Sequence, residues 1–298
     1  MPESEKKNSS FVRRLFFLVL ILFALVGILS LASEWIPEQR AQNRIGVVDV
    51  TGIISGSQHI VTQVKKFRQD KRIRGIVLRI DSPGGSVGPS QEIYDEVLKT
   101  RESGKTIYAS MGAMAASGGY YIASAAEKIF ANPGTLTGSI GVIMAFTNAK
   151  GLMEKIGLQP KIIKAGKYKD IGSPARDMTK KERNLLQSVV DDVHQQFIEA
   201  IASERGISIE EVTTIADGRI FTGRQAHALN LVDELGGLQA TIDQLSDKVG
   251  IIGGPKIVNE KPRLGFLDWV LKATINQPFM NQASIPSLQY TWPLNGWQ

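Results

Sequence analysis

Residues 75–88 read GIVLRIDSPGGSVG, and this stretch predicts a strand, a tight turn and the start of a helix. The apolar run 75–81 favours a buried strand. A proline and paired glycines follow, which are residues typical of turns. From 87 to 101 the apolar side chains recur at helical spacing. A strand that turns into a helix is the repeating unit of α/β domains.

The same alternation continues on both sides of this stretch. Apolar or β-branched runs predict five further strands, at 45–54, 105–110, 128–131, 139–144 and 160–166. Helices are predicted at 58–68, 120–126, 148–157, 179–205, 208–214, 222–229 and 237–249. Strands alternating with helices predict the α/β fold class with mostly parallel pairing.

Composition excludes several kinds of chemistry. The net charge of +6 comes from Lys and Arg spread along the chain, with no basic block interleaved with aromatics, which argues against a nucleic-acid partner. Cysteine is absent, so disulfides, thiolate zinc sites and a Cys nucleophile are excluded. No two histidines have the spacing of a metal-binding pair. We therefore expect no metal and no cofactor.

The N-terminal sequence predicts a membrane anchor. Residues 15–32 carry no charge and are long enough to cross most of the roughly 30 Å apolar core of a bilayer. Basic residues lie in 1–14, which predicts a cytoplasmic N-terminus and an extracytoplasmic remainder. The alternative is a cleavable signal peptide with a small-residue site at 30–32. Residues 33–44 are polar and predict a linker.

Two serines are candidates for a nucleophile. Ser86 lies in the only strict G-x-S-x-G pattern, which is the signature of the nucleophile turn in α/β hydrolases. Pro83, however, separates the strand from the glycines and favours an ordinary turn in which Ser86 starts a helix. Ser117 lies among small residues, before Gly118, Gly119 and an apolar helix. That sequence suits either a reactive turn at a helix N-terminus or close packing of a helix on a sheet.

The general base is harder to assign from the residues alone. His59, His194 and His227 all fall in predicted helices and not in glycine-rich turns, and a solvent-facing position is the ordinary interpretation of His194. A lysine can replace histidine when burial leaves its amine neutral. Four lysines cluster at 161–169, and their spacing does not select one of them.

Taken together, four segments resemble the signal peptide peptidase A family in its short, single-domain form. They are IDSPGGSV, MAASGGYYIASAA, TGSIGVI and KAGKYKDIGSP, and residues 218–237 resemble the C-terminal signature of that family. The resemblance implies a ClpP/crotonase-like domain at 45–250, followed by a C-terminal extension at 251–298 whose role the sequence leaves open. It also implies a serine endopeptidase in the bacterial inner (plasma) membrane that degrades remnant signal peptides.

The resemblance assigns roles to individual residues. Ser117 takes the place of the nucleophile and Lys169 that of the general base, while Ser139 orients the lysine. Gly84, with Gly85, and Gly118 supply the oxyanion hole. The family further implies a homo-oligomeric ring, expected to be an octamer, with each dyad shared between subunits.

Three alternatives remain at this stage. One is a related Ser–Lys quality-control or stomatin-partner protease with another substrate. A second is a crotonase-like acyl-CoA enzyme without a nucleophile, and a third is a non-enzymatic scaffold.

Overall fold

The computed structural model describes residues 16–28, 43–259 and 289–291 of the chain. The strands are β1 (Arg44–Thr51), β2 (Ile73–Ser82), β3 (Gly84–Ser86), β4 (Thr106–Ala116), β5 (Lys128–Ala131), β6 (Leu136–Gly138), β7 (Ile220–Thr222), β8 (Glu234–Leu235), β9 (Lys256–Asn259) and β10 (Gln289–Thr291). The helices are α1 (16–28), α2 (Gln58–Gln69), α3 (Val87–Glu102), α4 (Gly118–Ser124), α5 (Lys150–Lys155), α6 (Lys180–Arg205), α7 (Ile209–Ile215), α8 (Gly223–Ala228) and α9 (Leu238–Lys248). Most of the predicted strands and helices are confirmed within a few residues.

Eight of the described strands form one sheet. Its order is β7-β6-β4-β2-β1-β9, with β5 paired to β4 and β8 paired to β5. All of these pairs are parallel except β6 with β7. The mostly parallel sheet confirms the predicted α/β class.

The sheet is covered by helices on both faces, which explains its continuous apolar strands. Val48 and Leu78 point to one face and pack in a core with side chains of α2, α3, α4 and α6. Val47 and Val77 point to the other face and pack with Leu245 of α9. Since both faces are buried, parallel strands of this kind read as apolar runs and do not alternate.

Two predicted strands are wrong. Residues 139–144 follow β6 and do not continue it as a strand, because Ser139 has a φ of 51°, which lies outside the range of extended backbone. Residues 160–166 form no strand either. Ile163 there is fully exposed, so its β-branched side chain has no neighbouring strand to pack against.

Strand β4 is longer than its apolar run predicts. It extends to Ala116 through the small residues that follow 110. The reason is close packing: a Cβ on Gly112 would lie 2.9 Å from the Asp81 side chain on β2. The small residues therefore allow two strands to approach each other near their carboxyl ends.

The predicted anchor at 15–32 overlaps α1. No helix within the described residues is long and apolar enough to cross a membrane. Residues 15 and 29–32 of the predicted span, with the linker up to residue 42, lie outside the described part of the chain. The anchor therefore stays a prediction.

Parts of the C-terminal extension pair with the domain. Strand β9 runs parallel to β1, and β10 runs antiparallel to β3. In β10, Tyr290 stands opposite Gly85.

Candidate active site

Two strand-to-helix turns meet at one edge of the sheet. The chain leaves β2 through the turn that contains Gly84 and enters α3, and it leaves β4 at Ser117 and enters α4. Strands β2 and β4 are parallel neighbours, with Ser82 opposite Ala115. In parallel α/β sheets this carboxyl edge is where ligands bind.

The predicted nucleophile, Ser117, has a strained backbone. Its φ of 53° and ψ of −117° lie in a region that residues other than glycine rarely adopt. Its N–H donates to the carbonyl of Gly138 at 2.8 Å, and its carbonyl accepts from Tyr121 N–H at 2.8 Å. The backbone of Ser117 is therefore held from both sides, by β6 and by the first turn of α4.

The hydroxyl of Ser117 is unusual in having no partner. The residue is 1 % exposed, and its Oγ forms no hydrogen bond within the described part of the chain. Buried polar atoms are nearly always paired, so an orphaned hydroxyl calls for an explanation such as a catalytic role. Its position as the N-cap of α4 would favour developing negative charge nearby.

Helix α4 holds the turn from behind. All of its residues are buried. The Tyr120 hydroxyl donates to the carbonyl of Leu231 at 2.9 Å, and burial raises the pKa of Tyr120 well above its usual value. An entirely buried helix cannot shift without disturbing the core, so it fixes the backbone of Ser117.

Ser139 lies at the end of the strand beside Ser117. It directly follows β6, whose Gly138 stands opposite Ala116 of β4. The residue is 6 % exposed, and its N–H donates to the carbonyl of Arg219 at 2.8 Å. Within the described residues, only Asn230 joins Ser117 and Ser139 as a non-glycine residue with positive φ. The structure thus brings the predicted nucleophile and the predicted lysine-orienting serine to adjacent strand ends.

The glycine turn lies against the start of α4. A Cβ on Gly119 would come within 3.0 Å of the carbonyl oxygen of Ser82. Gly118 is the first residue of α4, where backbone N–H groups have no partner within the helix. The two glycine segments predicted to form the oxyanion hole are therefore neighbours.

Within the glycine turn, Gly84 and Gly85 differ in their hydrogen bonding. Gly84 has a φ of 99°, and its N–H already donates to Ser82 Oγ at 3.1 Å. The N–H of Ile54 donates to the carbonyl of Gly84 at 2.9 Å, and the carbonyl of Ile54 accepts from the N–H of Ser86 at 2.7 Å. The N–H of Gly85 consequently faces the opposite side, where β10 lies. The N–H of Gly85 therefore points towards the strand that pairs with β3, whereas the N–H of Gly84 is bonded within the turn.

Lys169, the predicted base, makes no contact with Ser117 among the described residues. It lies in a series of turns at 165–172, and its side chain is exposed. Its Nζ forms no hydrogen bond or ion pair with any described residue, Ser117 included. The neighbouring Asp170, by contrast, forms an ion pair with Arg176, whose guanidinium also pairs with Glu182.

The remaining candidates occupy less reactive positions. Ser86 has ordinary extended angles of −65° and 139° and caps α3 without a side-chain hydrogen bond. His59 and His227 lie on helices α2 and α8 as predicted. His194 differs from its expected solvent-facing position, because its Nε2 is buried without a partner and the residue lines a cavity of about 330 Å³ with Ser139. No cluster of three potential metal ligands occurs among the described residues.

The residues alone did not predict three contributors to this geometry, which are Ile54, Arg176 and Glu182. Ile54 orients the glycine turn through its backbone, which leaves no side-chain signal in the sequence. Arg176 and Glu182 hold the Lys169 segment. The sequence does contain a signal for Glu182, since Thr179 and Glu182 have the spacing of a capping box.

A strained serine between a strand and a buried helix, beside a glycine turn, is the arrangement expected of a serine hydrolase. Comparison with known proteins agrees and is more specific. The profile described as peptidase family S49 matches residues 99–251. The chain is 33% identical over 250 residues to a protein of Enterococcus faecium named as a signal peptide peptidase SppA, with 80% of this chain and 73% of that protein covered.

Two further relatives carry protease names. A Synechocystis protein is 44% identical over 203 residues, which cover 68% of this chain and 73% of that protein. The chloroplastic serine protease SPPA of Arabidopsis thaliana is 36% identical over 208 residues, which cover 69% of this chain and 30% of the plant enzyme. The chain belongs to peptidase family S49 and is an SppA-type serine peptidase.

Proposed function

We propose that this protein is a membrane-anchored endopeptidase that cleaves remnant signal peptides with Ser117 as nucleophile and Lys169 as general base. The observation that carries the proposal is the buried, unpartnered Oγ of Ser117 at a strained strand–helix turn. The name of the E. faecium relative supports the substrate class. The proposal includes the ClpP/crotonase-like architecture, the anchor at 15–32 and an extracytoplasmic domain.

The reaction is an acyl transfer. Ser117 Oγ attacks the scissile carbonyl carbon and gives its proton to the neutral amine of Lys169. The N–H groups of Gly118 and Gly85 stabilise the oxyanion, each by roughly 2.7–4 kcal/mol if they act as such donors do in other hydrolases. Lys169 returns the proton to the leaving amine. It then activates a water molecule that releases the acyl group from Ser117.

The base is supplied by a neighbouring subunit in this proposal. Two features support that arrangement: Lys169 is exposed in the single chain, and the segment that leads to it exposes several large apolar side chains. These are Ile143, Leu152, Ile156, Leu158, Ile162 and Ile163. Burial of this surface in a ring would place Lys169 in a site with little water, which is the condition for a neutral amine.

The substrate would bind as an extended strand along β3. Residues 289–291 occupy that edge in the structure, with Tyr290 opposite Gly85. A peptide that adds to this edge would therefore displace the C-terminal segment and meet the N–H of Gly85.

A mixing experiment tests both the residues and the shared dyad. Ser117→Ala and Lys169→Ala should each be inactive on a hydrophobic signal peptide. Subunits of the two variants, unfolded and reassembled together, should regain part of the activity, because some interfaces combine an intact serine with an intact lysine. Ser86→Ala is the control and should retain most of the activity.

Full activity in Ser117→Ala or Lys169→Ala would refute the dyad. Inactive mixtures would refute its sharing between subunits. If a soluble unfolded protein is cleaved and a signal peptide is not, the substrate is that of a quality-control protease.

A further inference from the structure

We propose that Arg176 is a positioning residue that holds the turn carrying Lys169 in its catalytic place. This inference rests on the proposed function of Lys169. Arg176 touches neither the substrate nor Ser117, and it acts through Asp170, the residue that follows Lys169.

The contacts of Arg176 with Asp170 fix the turn at one point. Its Nε donates to Asp170 Oδ2 at 2.8 Å, and its Nη2 donates to Oδ1 at 2.9 Å and to the backbone carbonyl at 3.2 Å. Lys164 also pairs with this carboxylate. The paired cations, Arg176 first, hold the pKa of Asp170 well below its usual range, so the carboxylate stays charged at any physiological pH.

The same guanidinium is anchored to the start of α6. Arg176 Nη1 and Nη2 donate to the two oxygens of Glu182 at 3.0 and 2.6 Å. Glu182 is buried and also accepts from the N–H of Thr179 at 2.9 Å, which completes a capping box. Arg176 and Thr179 lower the pKa of Glu182 to about 2. One planar cation thus joins the Lys169 turn to the end of a long helix.

Movement of Asp170 would be transmitted to Lys169. The backbone is tightly turned there, with Lys169 N–H donating to the carbonyl of Gly166 and Ser173 N–H donating to that of Asp170. Lys169 itself has an exposed side chain with no partner among the described residues. Its position therefore depends on its backbone, and the backbone depends on Asp170.

Other contacts hold the far side of the same segment. Ala149 N–H donates to the carbonyl of Pro174 at 2.8 Å, and Lys150 pairs with Asp177 at 2.7 Å. These contacts restrain the end of the segment, whereas the part next to Lys169 is held by Arg176 and by Lys164, whose Nζ also donates to the carbonyl of Lys167 at 3.1 Å. Arg176→Lys would keep the charge, but the new side chain could not form paired hydrogen bonds with both carboxylates.

The test compares Arg176→Lys with Arg72→Lys in the full-length enzyme, using a fluorogenic hydrophobic peptide. Arg72 is a matched control, since it forms the same kind of paired contact with Asp70 and lowers the pKa of that group to about 2, at the start of β2. We expect Arg176→Lys to lower kcat by roughly 10- to 100-fold with KM unchanged, because small misplacements of a catalytic group have effects of this size. Arg72→Lys should leave kcat unchanged.

The pH profile separates positioning from stability. In the ring of the proposed function, burial at the subunit interface is what favours the neutral form of the catalytic amine, so looser positioning in Arg176→Lys should shift the half-maximal activity to more alkaline pH. Thr179→Ala removes the cap of α6 without touching Asp170, and it should lower the melting temperature while leaving this profile in place.

A second variant guards against misfolding of the first. Asp170→Asn leaves the pair between Arg176 and Glu182 intact, and it should lower kcat and shift the pH profile in the same direction. Normal kcat and pH profile in both Arg176→Lys and Asp170→Asn, alongside an inactive Lys169→Ala, would overturn the positioning role alone. An active Lys169→Ala would instead overturn the proposed function on which it rests.

Discussion

The turns at Ser86 and Ser117 both join a strand to a helix, but they differ in backbone conformation and in hydrogen bonding. Each serine ends a strand and caps the helix that follows. Ser86 carries the sequence pattern of a hydrolase nucleophile, but its backbone is relaxed. Ser117 lacks that pattern, its backbone is strained, and its buried hydroxyl has no partner among the described residues. The comparison teaches that a reactive turn is defined by backbone conformation and surroundings, which the letters G-x-S-x-G do not guarantee.

The largest expected difference between the turns is in catalysis. Ser117→Ala should lower kcat for peptide cleavage by roughly 10⁴-fold or more, as removal of a nucleophile does in other serine hydrolases. Ser86→Ala should retain most of the activity, because its side chain makes no cap hydrogen bond. Steady-state assays with a hydrophobic peptide measure both, and equal activities would remove the distinction drawn here.

The glycines around Ser86 should differ sharply in their tolerance. A Cβ on Gly85 would lie 2.1 Å from the carbonyl oxygen of Ile54, so Gly85→Ala should lower the free energy of unfolding by about 3 kcal/mol. Gly88 in α3 has nothing within 4 Å of its Cβ position, and Gly88→Ala should raise stability by up to about 1 kcal/mol. Urea denaturation compares the two. Unchanged stability in Gly85→Ala would contradict the close packing of Gly85 against Ile54.

The helices behind the two turns can be compared through one tyrosine each. Tyr120→Phe removes a hydroxyl that donates to Leu231 in the core, and it should cost about 1.5 kcal/mol. The hydroxyl of Tyr94 on α3 makes no hydrogen bond within the described residues, so Tyr94→Phe should be nearly neutral. Thermal denaturation of the two variants should rank them in this order, and the reverse ranking would contradict the anchoring of α4.

The smallest effect concerns strain itself. Ser117→Gly should raise the free energy of unfolding by about 1 kcal/mol while abolishing activity, because glycine accepts a φ of 53° without cost. At the relaxed position, Ser86→Gly should lower stability by roughly a few tenths of a kcal/mol. Destabilisation by Ser117→Gly would mean that the hydroxyl contributes to stability and that strain is not stored at this turn.

Much of the fold was predictable because each element buries an apolar face. The repeat in α6, with Thr179 before it and Gly206 after it, fixes both ends of that helix, and both caps are observed. The wrong strands at 139–144 and 160–166 show the limit of this reasoning. A β-branched run forms a strand only where a neighbouring strand is available, and local sequence does not carry that information.

The candidate site also combines features that the sequence predicted with features that only the structure shows. The sequence supplied Ser117, Ser139 and the glycines as candidates, and the structure brings these to neighbouring strand ends. The sequence could not show that the N–H of Gly84 donates to Ser82 Oγ, because that contact depends on the conformation of the turn. It also could not show that Ile54 orients the turn, because those are backbone contacts between distant segments. Lys169 stays a prediction, since no contact among the described residues joins it to Ser117.

The sequence by itself determined the α/β class and the extent of the long helix, because periodicity and capping are local properties, and its ordered motifs carried the family resemblance that assigns the candidate site segments. Only the tertiary structure decided which serine is strained and has no hydroxyl partner among the described residues, which glycine N–H faces β10 and how the Lys169 turn is held. Those features arise from contacts between residues far apart in the chain. Such contacts exist only once the sheet has brought its strand ends together.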